Sequence, residues 1–146
     1  MRLIEKAYKI AFDQIKVKWK EIPGSESNPL IKEAYLCVDG LNNIELNDDI
    51  VPWCSAFVNW CVQKAGGRGT RSPIARSWMS WGFKSDGKLG DIVVLKRGVY
   101  DWQAHVGFVY KKDLLFVHVL GGNQYNSVNV TRYLRSRVLG YRTSKD

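Results

Sequence analysis

The chain has 146 residues, 45% of them hydrophobic and 12% aromatic, and carries a formal net charge of +8. Those values exclude a disordered tail and describe one domain, residues 1–146, large enough to bury a core without staples. Three cysteines cannot all pair, so at least one free thiol is expected, which suits synthesis in a reducing compartment.

Residues 2–20 are predicted to form an amphipathic helix, with Ile4, Tyr8, Ala11 and Ile15 on one stripe and Lys6, Lys9, Asp13 and Lys16 between them. This start has no long apolar run with a small-residue cleavage site, and no segment reaches about eighteen uninterrupted apolar residues. The expectation is a protein made in the cytoplasm, with no signal peptide and no transmembrane segment, that leaves through a holin or another delivery machine. After the Glu21-Ile22-Pro23-Gly24 loop, Ser27-Asn28-Pro29 opens a second short helix through Ile31 to Leu36. Residues 39–49 are polar and turn-rich, and Asn47-Asp48-Asp49 is cap chemistry before Pro52.

A third helix starts at Cys54. Ala56, Phe57, Val58, Cys61, Val62 and Ala65 keep helical spacing, and Gly66-Gly67 stops it. A cysteine in the first helical turn faces unpaired backbone N–H groups and the positive end of the helix dipole. Both favour the thiolate, which is the nucleophile. A short helical segment is predicted over residues 73–81. From Gly90 onward five strands follow: residues 91–95, 105–110, 114–120, 127–131 and 138–142, with Lys111-Lys112-Asp113 as a hairpin turn. Helices first and an antiparallel meander after them make an α+β order, not a βαβ alternation.

His105 opens the second of these strands beside a loop, where an imidazole can serve as general base to the Cys54 thiol. A Cys-His couple also needs a group that holds the ring in its working tautomer. Asn123, after Gly121-Gly122, and His118, within the neighbouring strand, both compete for that role, and Asn123 is favoured because it orients without titrating. Trp53, Trp102 and Gln124 are the candidate substrate contacts. Cys61 and Cys37 read as core. There is no CxxC pair and no HExxH, and the gaps of 17 and 7 residues between the cysteines fit no common zinc site, so no metal or other cofactor is expected.

The chain resembles the small papain-fold peptidoglycan hydrolases, the CHAP-like and NlpC-like group. The resemblance runs from Glu21-Ile22-Pro23-Gly24 with Asn28-Pro29 through Pro52-Trp53-Cys54-Ser55-Ala56-Phe57-Val58-Asn59, Ala75-Arg76-Ser77-Trp78, Gly90-Asp91-Ile92-Val93-Val94-Leu95, His105-Val106-Gly107-Phe108-Val109 and Gly121-Gly122-Asn123-Gln124 to Leu139-Gly140-Tyr141-Arg142, in that order. It implies Cys54 as nucleophile and His105 as base. CHAP-like members carry the third group near Asn123, whereas NlpC-like members often use a histidine near His118. The Cys54 backbone N–H is the expected oxyanion donor.

The function that follows is cleavage of an amide bond in the bacterial cell wall, within the stem peptide or between lactyl-muramic acid and L-alanine. A monomeric phage endolysin is the favoured setting, and an antibacterial effector of the same chemistry is the second. The basic surface suits peptidoglycan and other anionic envelope polymers. Two rivals of another class remain: a non-catalytic wall-binding or phage structural protein that keeps the fold, and a nucleic-acid binder. The latter is set aside because charge alone supports it and no reading motif is present.

Overall fold

The computed structural model describes residues 1–17, 19–20, 28–41, 52–100 and 103–146. The Glu21–Gly24 loop, the Asn47–Asp49 cap and Trp102 lie outside the described residues. Among the described residues, three α-helices come first. Helix α1 spans Leu3–Asp13 and buries Ile4, Ala7 and Ala11, and a 3₁₀ turn over Gln14–Lys16 follows it. The helix predicted to residue 20 therefore stops early. Its chain turns extended at Val17 and delivers Trp19 into the core, where the indole N–H donates to Gln14 Oε1 at 2.8 Å. Burying that ring outweighs extending an exposed helix by one turn.

Helix α2, Pro29–Tyr35, begins where Asn28 predicts: the Asn28 side chain accepts from the Leu30 N–H at 2.9 Å, and proline takes the first turn. Helix α3, Cys54–Lys64, is the central one, with every residue from Cys54 to Val62 buried. Trp19, Trp53, Phe57 and Trp60 form an aromatic cluster around it, with ring centroids 5.0 to 6.4 Å apart.

Six strands follow: β1 (Phe83–Lys84), β2 (Ile92–Lys96), β3 (Ala104–Lys112), β4 (Phe116–Gln124), β5 (Ser127–Leu134) and β6 (Val138–Thr143). They form one antiparallel sheet in the order β1-β6-β2-β3-β4-β5. The expected five strands are there, and β1 is the addition. The expected hairpin turn at 111–113 moves to Asp113–Leu115. There Asp113 Oδ1 accepts from the Leu115 and Phe116 N–H groups at 3.1 and 2.8 Å, and Leu114 and Leu115 are exposed.

The sheet is strongly rolled. Strands β5 and β6 lie four spacings apart in it, about 19 Å if it were flat. Only Arg135–Arg137 connects them, and the four residue steps from Leu134 to Val138 reach at most about 14 Å. The strands must therefore curl toward each other. One face packs on the helices through Ile92, Val94, Val106, Phe108 and Leu120. The other encloses a second cluster of Val93, Leu95, Val109, Val117 and Val119, capped by Tyr133, Val138 and Tyr141. Alternate residues of β2 thus serve both interiors, which is why it reads as an unbroken apolar run.

Candidate active site

Cys54 is the first residue of α3, and the helix presents it to the strand that carries His105. Two networks fix the walls around it. Ser55 Oγ donates to Ser72 O at 2.6 Å and accepts from the Trp78 indole N–H at 2.9 Å. Asn59 Oδ1 accepts from the Arg71 N–H at 2.8 Å. These bonds tie the segment around Pro73 to α3. That segment supplies Pro73, Ile74 and Ala75 to a cavity of about 260 Å³ in which the Cys54 thiol lies. Gln103 lines the same cavity. Its Oε1 accepts from the Tyr100 N–H at 3.0 Å, which directs its NH₂ elsewhere.

Three groups act on the thiol. Burial pushes the Cys54 pKa up, but the hydrogen bond and charge of His105, the Val106 backbone N–H and the Arg97 charge together outweigh burial and bring it below the ordinary value. Cys61 provides the contrast within the same helix. It is equally buried, has no such partner, and burial drives its pKa well above the ordinary value. The thiol of Cys37 is half-buried, and burial raises it too. These two read as packing residues.

His105 is held on its far side by Gln124. The ring Nε2 lies 2.9 Å from Gln124 Oε1. The orientation of that amide follows from its other partners, because Gln124 Nε2 donates to Val119 O, Asn129 O and Asn129 Oδ1 at 3.1, 2.9 and 3.0 Å. Its oxygen must therefore face the imidazole. An acceptor oxygen at that position takes a proton from Nε2, which leaves Nδ1 as the ring nitrogen available to the Cys54 thiol. Tyr133 OH donates to the same Gln124 oxygen at 3.3 Å, and its ring lies 5.5 Å from that of His105. Asn129 is itself fixed, by Thr131 Oγ1 donating to its Oδ1 at 2.6 Å and by its own Nδ2 donating to Gln124 O at 2.7 Å.

Asn123, expected to hold the ring, lines the same cavity as His105, but the ring's hydrogen bond goes to Gln124. The register of β4 against β5 shifts between Gly121 and Gln124, and Asn123 takes a left-handed φ of +56° there. Such a bulge re-aims side chains. Gly121 makes the room, since a Cβ at that position would lie 3.0 Å from Gln124 Oε1. Gln124, expected as a substrate contact, is 2% exposed and fully engaged in this network. His118 is also placed elsewhere: it pairs across from Lys111 at the far end of β3, and its Nε2 lies 3.3 Å from Asp113 Oδ2. Trp53, the other expected substrate contact, is fully buried and stacked on Trp19. As the residue just before α3 it points inward, under Gly122, and walls no groove. Sequence reasoning missed Gln124 as ring partner, Tyr133, Asn129 and Arg97. The polar alternation Ser127, Asn129, Thr131 along β5 was the available signal.

A buried cysteine at the start of a helix, packed on a rolled antiparallel sheet that presents a histidine, is a papain-like α+β arrangement. The family profile described as CHAP domain matches residues 47–123, just over half of the chain, and the chain belongs to that family. CHAP domains are generally hydrolases that act on peptidoglycan. No curated protein and no solved structure matches the chain.

Proposed function

We propose that this chain is a cysteine-dependent peptidoglycan amidase or endopeptidase in which Cys54 is the nucleophile, His105 the general acid and base, and Gln124 the residue that orients His105. The observation that carries the reading is His105 set between two groups: its ring Nε2 lies 2.9 Å from a Gln124 oxygen, and on the other side it draws the pKa of the buried Cys54 thiol down. Together they supply an activated sulfur and a fixed tautomer, the two things nucleophilic acyl transfer needs.

In the first half-reaction the Cys54 thiolate attacks the scissile carbonyl carbon, and an S–C bond forms. The tetrahedral oxyanion is met by the Cys54 backbone N–H, which has no acceptor within α3, and by the NH₂ of Gln103 in the same cavity. Collapse breaks the C–N bond as His105 gives its proton to the departing nitrogen. In the second half, water gives a proton to His105 and attacks the thioester carbonyl. The S–C bond breaks and the carboxylic acid product leaves.

The bond cut lies within the stem peptide or between lactyl-muramic acid and L-alanine. The domain works as a monomer, in the setting of a phage lysin or, second, of a delivered antibacterial effector. Its net charge of +8 draws it to an anionic wall. The test is digestion of purified peptidoglycan followed by mass spectrometry of the fragments. Wild type should release a new amine, and Cys54→Ala should release none while keeping its circular dichroism spectrum. A Cys54→Ala protein that clears walls at the wild-type rate would overturn the mechanism.

A further inference from the structure

Two cavities meet at the site and differ in chemistry. The one holding the Cys54 thiol is walled by Pro52, Pro73, Ile74 and Ala75. The second, about 350 Å³, holds His105 and is lined by Arg97, Arg137, Asn123 and Tyr133 among others, with no aspartate or glutamate among the described residues of its wall. Arg97 borders both. We propose that the His105-side cavity is an anion subsite for the leaving half of the substrate, in which Arg97 selects peptides whose departing nitrogen belongs to a residue with a free carboxylate. The proposal rests on the hydrolase reading above.

The side follows from the chemistry. His105 must protonate the departing nitrogen, so the leaving fragment lies on the imidazole side of the sulfur and the acyl fragment on the apolar side. The charges on the imidazole side are set for an anion. Arg137 is anchored by Nε and Nη2 donating to Lys96 O at 3.1 and 2.8 Å, and its guanidinium carbon is 5.8 Å from the Tyr133 ring. Arg132 also borders the cavity, but its guanidinium is held 4.4 Å from the Phe116 ring. Arg97 has neither a carboxylate nor a carbonyl partner among the described residues, and it is exposed. Both Arg97 and Arg137 bear electrostatically on the Tyr133 phenol, and Arg97 also bears on the Cys54 sulfur, so these cations converge on the reacting centre. A guanidinium whose donors meet no acceptor among the described residues, beside a low-dielectric wall, is suited to binding a carboxylate by charge-assisted hydrogen bonds. Asn123, turned outward by its left-handed backbone, adds an amide to the same wall. Stem-peptide residues carry such carboxylates, whereas the nitrogen of a glycine bridge has none beside it on the same residue.

The experiment compares amine release from purified peptidoglycan and from the same material with its free carboxylates converted to amides by carbodiimide and ammonium. Wild type, Arg97→Gln and Lys9→Gln are assayed on both. Lys9 is an exposed cation on α1, away from the cavity. On amidated walls the wild-type kcat/KM should fall about 10- to 100-fold, the scale of one lost charge-assisted contact. Arg97→Gln should show that loss already on native walls and no further loss on amidated ones, and Lys9→Gln should behave as wild type. Equal wild-type rates on both walls would overturn the subsite. So would a loss in Lys9→Gln equal to that in Arg97→Gln, which would mean only general attraction, or a new amine on a bridge glycine. Wild-type protein that releases no amine from either wall would instead bring down the hydrolase reading, and the subsite with it.

Discussion

At Cys54 two opposing effects meet, since burial favours the neutral thiol while His105, the Val106 N–H and Arg97 favour the thiolate. The net result is a pKa below the ordinary thiol value, and it should be readable as chemistry. The rate of Cys54 alkylation by iodoacetamide should rise with pH around a midpoint lower than that of the same cysteine in the unfolded chain. The sign is fixed by the form that reacts: a lowered pKa moves the thiolate limb to lower pH. In His105→Ala burial is left with little opposition and the midpoint should move up, whereas Cys61 should stay unmodified in the folded protein because its pKa lies on the other side. Gln124 acts one bond further out. Its oxygen holds the imidazole, and Tyr133, whose phenol burial pushes up to about 12, stays a hydrogen-bond donor to that oxygen at any working pH. Gln124→Ala should lower kcat by about two to four decades, as disabling an orienting residue does. Asn123→Ala should keep kcat within about tenfold and act mainly on KM. Steady-state kinetics on one defined muropeptide decides between them, and a dead Asn123→Ala beside a near-normal Gln124→Ala would reverse the assignment.

Elements carry the site because β4 comes close to α3. Gly122 allows this, since a Cβ there would lie 2.7 Å from Trp53 Cζ3 and 2.8 Å from Phe57 Cβ. Neither neighbour has slack, being fully buried and packed among other rings. Gly122→Ala should therefore destabilise the fold by about 1–3 kcal/mol, measured by urea denaturation at constant m-value. Gly40→Ala makes a control, because a Cβ there meets nothing within 4 Å and only its φ of +86° resists. The same contact explains what the sequence displayed and what it withheld. Cys54 was legible because the turn before it and the helical spacing after it are local. His105 was legible as a histidine at the start of an apolar strand. Gln124 was not, because the choice between it and Asn123 depends on a register shift against β5, which involves residues on another strand. Trp53 was misread as a groove residue because an indole's identity does not say which way it points. Strand β1 was missed because two residues leave no alternation to detect. The turn at Asp113 was displaced because Leu114 and Leu115 look like strand, while the Asp113 carboxylate takes the N–H groups that would have extended it.

The whole molecule is organised by distant pairings. Strand β1 pairs with β6, Phe83 against Thr143, and β6 also pairs with β2. The Leu3 N–H donates to Asp146 O at 2.5 Å, and the Ile4 N–H to Ser144 Oγ at 3.0 Å. Segments far apart in sequence thus complete each other, and the roll of the sheet depends on the three residues that carry the chain from β5 to β6. The consequence is one of time. Each of these pairings must close a long loop before any contact repays the lost entropy, so folding falls in the slow, millisecond-to-second regime of non-local topologies. Until β6 docks, β2 presents a bare apolar edge to any neighbouring chain. During synthesis that edge waits for β6 to leave the ribosome. A chain cut off after Leu134 would keep Cys54, His105 and Gln124, yet its unfinished sheet would be drawn to aggregate before it could cut anything.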